Sequence, residues 1–264
     1  MNKLAPSRVT RWIIGILIGA FFAIPLISTF LYTLRGTGGR LSFERWAALL
    51  DPAASAAIKP IWTGLGNSLV LALVTVIIVL LLLAPTMILV NLRFPKLKSV
   101  FEFTALLPIS IPAIVLVVGL SPIYLQIGRA LGTGTWTLAF AYGITVLPFA
   151  YRSIQASIDA ADLRTLSEAA RSLGSSWPVV VMKVLAPNLR QGLLSASLIS
   201  IAVVLGEFTI ASLLNRQVFQ TAMVVVGKQD PYAPAIFTLL ALLFCFLLLL
   251  IIGRAARGNR KASQ

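Results

Sequence analysis

Six apolar runs with almost no charge dominate the chain: residues 12–34, 67–90, 103–120, 135–151, 192–214 and 233–253. A helix needs about 20 such residues to cross the hydrocarbon core of a bilayer. Backbone at that depth must satisfy its own amides, which excludes lipid-exposed loops and open strands. The fold class that follows is all-α: a polytopic membrane protein with about six transmembrane helices, read as one domain over 1–264. The composition points the same way. Only 11% of residues are charged and 58% are hydrophobic, whereas soluble domains carry about 25% charged residues.

The first run follows Lys3, Arg8 and Arg11, as the apolar part of a signal peptide would. It is longer than the roughly 7–15 residues of such a segment, so it is expected to remain as the first span. The net charge is +14, and the basic residues sit in short gaps between apolar runs rather than along one face of a polar domain. That pattern fits a membrane surface and not nucleic acid. With both termini placed in the cytoplasm, fifteen of the 22 Lys and Arg residues fall on inner segments and seven on outer ones. The basic tail from Arg254 to Lys261 reads as a stop-transfer flank.

Several chemistries are poorly supplied. There is no histidine, and the single cysteine, Cys245, lies in an apolar run. No intrachain disulfide and no cysteine metal site is possible, and the commonest general base is missing. No span carries paired acids, so the chain is not expected to be an enzyme or to bind a metal or cofactor itself.

Two connecting segments are long. The outer one, about 35–66, contains Leu41–Trp46 and Leu49-Leu50 and reads as a short amphipathic helix near the outer surface. The inner one, about 152–191, reads as a cytoplasmic helix–turn–helix. Ala160, Ala161, Leu163, Leu166, Ala169, Ala170 and Leu173 recur at helical spacing. Gly174 then supplies a residue able to take positive φ. Ser175 and Ser176 offer an N-cap and Pro178 suits a first turn. The second helix is expected through Val184, with Pro187 blocking continuous helix into the next span. An apolar face rimmed by Arg164, Arg171 and Lys183 should bury itself against something.

At this point a family resemblance becomes specific. Glu168-Ala169-Ala170, then Gly174, then Val184 and Ala186-Pro187 resemble the EAA motif of bacterial ABC importer permeases at the matching spacings. Valine stands for the motif's isoleucine and Ala186 for its leucine. Glu44-Arg45-Trp46, Asn67-Ser68-Leu69 and Leu147-Pro148-Phe149 also resemble the family, so the likeness covers nearly the whole chain. It implies a type I importer fold in an inner membrane. Glu168, Ala169, Ala170, Gly174 and Pro187 would then couple the spans to a cytoplasmic ATPase. The implied partners are a second permease chain, two ATPase subunits and an extracytoplasmic substrate-binding protein, besides membrane lipid. ATP and magnesium would serve the separate ATPase, since this chain has no G-x-x-x-x-G-K-[ST] loop. The pattern most resembles the polyamine group, which makes a polyamine or another small organic solute the expected cargo.

Five residues stand out within the spans. Glu207 is the one acidic residue deep in a run. A carboxylate at mid-bilayer costs about 2.5–3.5 kcal/mol on insertion scales. It is read either as a pathway or gate residue or as a polar contact satisfied locally. Similar Gly-Glu-Phe segments in permeases for anions mean that it does not specify a cation. Pro108 and Pro112 kink the third run, either to line the pathway or as a packing bend. Gly15 and Gly19 form a G-x-x-x-G in the first run. The alternative function is a stand-alone secondary transporter or channel. That class often places ionisable residues in several spans and uses inverted repeats, neither of which is visible here.

Overall fold

The computed structural model describes residues 7–36, 40–49 and 52–258. Lys3, Leu50, Arg260 and Lys261 lie outside the described residues. In chain order the helices are α1 (Arg8–Thr33), α2 (Glu44–Ala48) and α3 (Pro52–Ile78), which runs through a π-helical turn at Val79–Leu83 into α4 (Ala84–Arg93). They continue with α5 (Lys98–Leu106), α6 (Ala113–Leu131), α7 (Ala139–Ala160) and α8 (Leu163–Ser172). Next, α9 (Trp177–Val179) passes through a π-helical turn at Val180–Leu185 into α10 (Ala186–Asn188). The last four are α11 (Arg190–Gly206), α12 (Thr209–Leu213), α13 (Phe219–Gly227) and α14 (Tyr232–Gly258). Among the described residues the one β pairing is the isolated bridge between Arg35 and Leu41.

Four helices are long and apolar enough to cross a membrane: Arg8–Thr33, Ala56–Arg93, Ala113–Leu131 and Tyr232–Leu250. The pair Trp177–Asn188 and Arg190–Gly206, bent by 77°, makes a fifth if taken as one broken span. The run 135–151 forms most of α7, which is helical but falls outside that set. Its polar groups explain why. Tyr142, Tyr151 and Gln155 are buried among other helices instead of facing lipid.

Two expected runs are interrupted. Residues 103–120 do not form one helix: α5 ends at Leu106, Leu107–Ser110 make a 3-10 turn, and Ile111 is extended at φ −100°, ψ 119°. Pro112 is the cause, because its ring disfavours the helical region for the residue before it. It then starts α6, its carbonyl accepting from the amides of Val115 and Leu116. The run 192–214 breaks at Glu207, which is extended at φ −83°, ψ 128° between α11 and α12.

The described residues fall into two compact units, those within 1–60 and 223–244 and those within 61–222 and 245–264. In the first, aromatic contacts gather around α2. Tyr32 stacks on Tyr232 with centroids 4.8 Å apart, and the Arg45 guanidinium lies 3.4 Å from the Tyr232 ring centroid. Trp46 donates through Nε1 to Thr33 Oγ1 at 3.1 Å. The apolar length of α1, including Trp12, Phe21 and Phe22, is exposed. Such a surface calls for lipid or another chain as its cover.

In the second unit α7 runs through both core clusters. Tyr142 packs with Leu71, Leu138 and Ile210 in one, and Val146 and Ile154 with Met87, Leu185 and Leu189 in the other. Lipid is as apolar as leucine, so packing and hydrogen bonds hold spans together rather than the hydrophobic effect. The tightest approach is between α7 and α11, where Gly192 lies against Ser153 and Ser157. A polar chain also ties α4, α5 and α7. Asn91 and Gln155 bond through their amides at 3.3 Å, Gln155 donates to Asp159 at 2.8 Å, and Lys98 reaches Asp159 at 3.1 Å. Burial pushes the Asp159 carboxyl up, but hydrogen bonds from Gln155 and Lys98 outweigh it and hold the group below its ordinary range.

Candidate functional site

The segment 152–191 is a helix, a tight turn and a second helix. α8 begins at Leu163, later than the alanines at 160 and 161 suggest, because Asp162 caps it. The Asp162 carboxylate accepts from the Thr165 amide at 3.1 Å and from the Thr165 hydroxyl at 2.6 Å. These bonds hold its carboxyl below the usual carboxylate range. An aspartate followed three residues later by threonine is a readable cap signal, and the alanine spacing overshadowed it.

At the other end of α8, Gly174 stands at φ 83°. Its amide donates to the Arg171 carbonyl at 2.9 Å, and the Ser175 amide donates to the Ala170 carbonyl at 3.2 Å. This pair of bonds is the Schellman closure, which needs a left-handed residue at the glycine position. Arg171 braces the turn from outside: Nη1 donates to the Ser175 carbonyl at 2.8 Å, and the guanidinium lies 5.7 Å from the Trp177 ring centroid.

The apolar face of α8 is not simply displayed. Leu163 is buried, and Leu166 and Ala170 pack against the core made by α4, α7 and the π-helical turn. What points outward is narrower: Ala169 is exposed and Leu173 is 87% exposed. Met182 on the second helix is exposed as well. Glu168 is also outward and pairs with Arg164 one turn earlier at 2.9 Å. Among the coupling candidates, then, Glu168 and Ala169 face out, Ala170 packs inward and Gly174 sets the turn.

Pro187 does not end the second helix where expected. The wider π-helical turn at Val180–Leu185 lets the chain stay helical through Asn188, with Pro187 in the first turn of α10. The bend falls at Leu189, where the helical axis turns by 77° into α11. Leu189 is fully buried and its amide still reaches the Leu185 carbonyl at 3.0 Å. The joint is therefore a packed corner, not a loose linker.

Glu207 lies apart from this segment, in the break between α11 and α12. Both carboxylate oxygens accept from the Ile210 amide, at 3.0 and 3.1 Å, and the buried Tyr142 donates its hydroxyl at 2.8 Å. The carbonyl freed at Leu205 accepts from Gln220 Nε2 at 3.0 Å. A half-buried carboxylate thus closes the start of one short helix and ties α7 to it. Tyr142, on another helix, carried no sequence signal for this role. Pro112 starts α6, which packs on α12; Pro108 lies in the turn that packs on α7.

No match was found among curated proteins. A family model described as the binding-protein-dependent transport system inner membrane component matches residues 87–259. The matched stretch includes α5 to α12, and with them the helix–turn–helix, its packed corner at Leu189 and the Glu207 break. It covers more than half of the chain and agrees with the resemblance carried by the 168–187 spacing together with the apolar runs; this chain belongs to the family of inner membrane components of binding-protein-dependent transport systems.

Proposed function

We propose that this permease lends the outward edge of α8 to a cytoplasmic ATPase and passes the motion of that ATPase to its spans through the corner at Leu189. The observation that carries the reading is the division of α8 between two faces. Leu163, Leu166 and Ala170 are spent on the chain's own core, while Ala169 and Leu173 remain outside beside a hydrogen-bonded turn. An alanine permits close approach of a second surface, and a larger or charged side chain holds it off. On this reading both termini are cytoplasmic, a second permease chain completes the pathway, and a binding protein delivers the cargo from outside. The exposed apolar length of α1 supports a lipid or protein cover for that helix. The cargo is read as a polyamine or another small organic solute, on residue pattern alone, and ligand identification on the cognate binding protein decides it. In the assembled complex Ala169→Asp should reduce ATPase co-purification at least about tenfold, as burying an unpaired carboxylate in an interface would. Undiminished co-purification with Ala169→Asp contradicts the docking surface.

Glu207 is proposed to line or gate the pathway from its position in the break. Glu207→Gln keeps an acceptor for the Ile210 amide and for the Tyr142 hydroxyl but removes the charge. Transport should fall several-fold with complex assembly unchanged. If protein level or assembly falls instead, Glu207 serves only to hold α7, α11 and α12 together.

A further inference from the structure

Beside α8 the second unit holds a groove of about 790 Å³. One wall is the length of α4, with Pro85 and Leu89 one turn apart and Leu92 beyond them. The other is formed by α8 and Trp177. Three guanidinium groups line it, those of Arg93, Arg164 and Arg171, against one carboxylate, Glu168. That carboxylate is already taken by Arg164 at 2.9 Å, and neither Arg93 nor Arg171 has an ion pair among the described residues. Arg171 is held in place by the Ser175 carbonyl and by Trp177, and uses only one of its five N–H donors on that carbonyl.

Charge and apolarity are arranged by depth. Arg93 ends the candidate span Ala56–Arg93, three residues beyond the apolar run 67–90, and a basic residue flanking a span in that way is placed to meet lipid headgroups. Pro85 is eight residues earlier, about 12 Å up the helix toward the hydrocarbon, and Leu89 between them is 53% exposed. An inorganic anion would use the arginines and leave the leucine wall unused. Trp177, half-exposed in the same groove, is of the residue type that suits the membrane–water boundary.

We propose that this groove binds an anionic phospholipid, its headgroup phosphate between Arg93 and Arg171 and an acyl chain along Pro85 and Leu89 of α4. The lipid then braces α8 against the end of α4. The inference depends on the coupling reading only for naming the cytoplasmic side. A bilayer with anionic lipid in both leaflets makes the binding result independent of orientation.

The test is native mass spectrometry of the assembled complex after extraction from nanodiscs containing equal phosphatidylglycerol and phosphatidylcholine. Phosphatidylglycerol should be retained about tenfold over phosphatidylcholine, the preference that two arginines at a headgroup supply. Arg93→Gln combined with Arg171→Gln should abolish the preference, and Arg93→Lys should keep most of it. Excess inorganic phosphate should not displace the lipid. Four results each overturn the proposal. They are equal retention of the two lipids by the unaltered complex, undiminished preference in the double variant, displacement by inorganic phosphate, and retention by the isolated permease that disappears on assembly. The last would give the groove to a protein partner.

Discussion

Gly192→Leu should destabilise the second unit by about 3 kcal/mol, the upper part of the range for overpacking a filled site. A Cβ at Gly192 would stand 2.5 Å from Ser157 Oγ, 2.7 Å from Ser157 Cβ and 2.8 Å from the Ser153 carbonyl oxygen. A hydroxyl can rotate away, but a helix carbonyl cannot. The only relief is to part α7 from α11, the most extensive helix pair in the unit. Parting them also breaks the bond from Ser153 Oγ to the Gly192 carbonyl at 3.3 Å. Both helices carry buried core residues within a few positions of the contact, Ile154 on α7 and Ala196 on α11. A loss of that size is a large share of the roughly 5–15 kcal/mol that keeps a typical protein folded. Thermal unfolding of the detergent-solubilised chain should shift down strongly for Gly192→Leu and less for Gly192→Ala. Gly15→Leu and Gly19→Leu, where nothing lies within 4 Å, should leave the unfolding of the isolated chain unchanged. Wild-type unfolding for Gly192→Leu contradicts the packing described here.

How much of this was legible in the sequence differs by element, for physical reasons. The runs at 12–34, 67–90 and 233–253 became long helices because lipid asks only for length and apolarity, both local properties. The stop at Gly174 was also legible, since few residues besides glycine close a helix at positive φ. The breaks were harder. Two prolines announced trouble near 108–112, but whether a kink or a full interruption follows depends on what surrounds the freed carbonyls. At Glu207 the deciding partner is Tyr142, 65 positions away, and no window of sequence joins them. The direction of α8 was hidden for a related reason. Periodicity shows that one face is apolar, not whether the chain itself or a partner covers it. Leu166 and Ala170 turned inward, which left the smaller patch at Ala169 and Leu173. Pro187 announced that the helix would not continue into the next span, and the chain does turn by 77° before α11; the π-helical turn lets the helix run on through Asn188, which puts the corner at Leu189.

Gly174→Val should uncouple ATP hydrolysis from transport while the spans still insert. The Schellman closure holds Gly174 at φ 83°, with the Ser175 amide on the Ala170 carbonyl. A β-branched residue is strongly disfavoured there, at a cost of about 1–3 kcal/mol. The turn must open to relieve it, and opening loses the brace from Arg171 to the Ser175 carbonyl. No neighbouring atom lies within 4 Å of a Cβ at this position, so the effect comes from backbone angle and not from a clash. Gly174→Ala, which is less restricted, should therefore be milder. The angle between α8 and the second helix is the quantity a coupling joint has to preserve, and core burial at Leu163 and Leu185 keeps the rest of the segment in place. The direct measurement is co-purification of the ATPase followed by ATP hydrolysis and cargo uptake in proteoliposomes. The expected result is reduced ATPase retention, or retained hydrolysis with uptake lowered about fivefold or more, as a loss of about 1–3 kcal/mol at the joint would give. Normal retention together with normal ATP-driven uptake in Gly174→Val would contradict it.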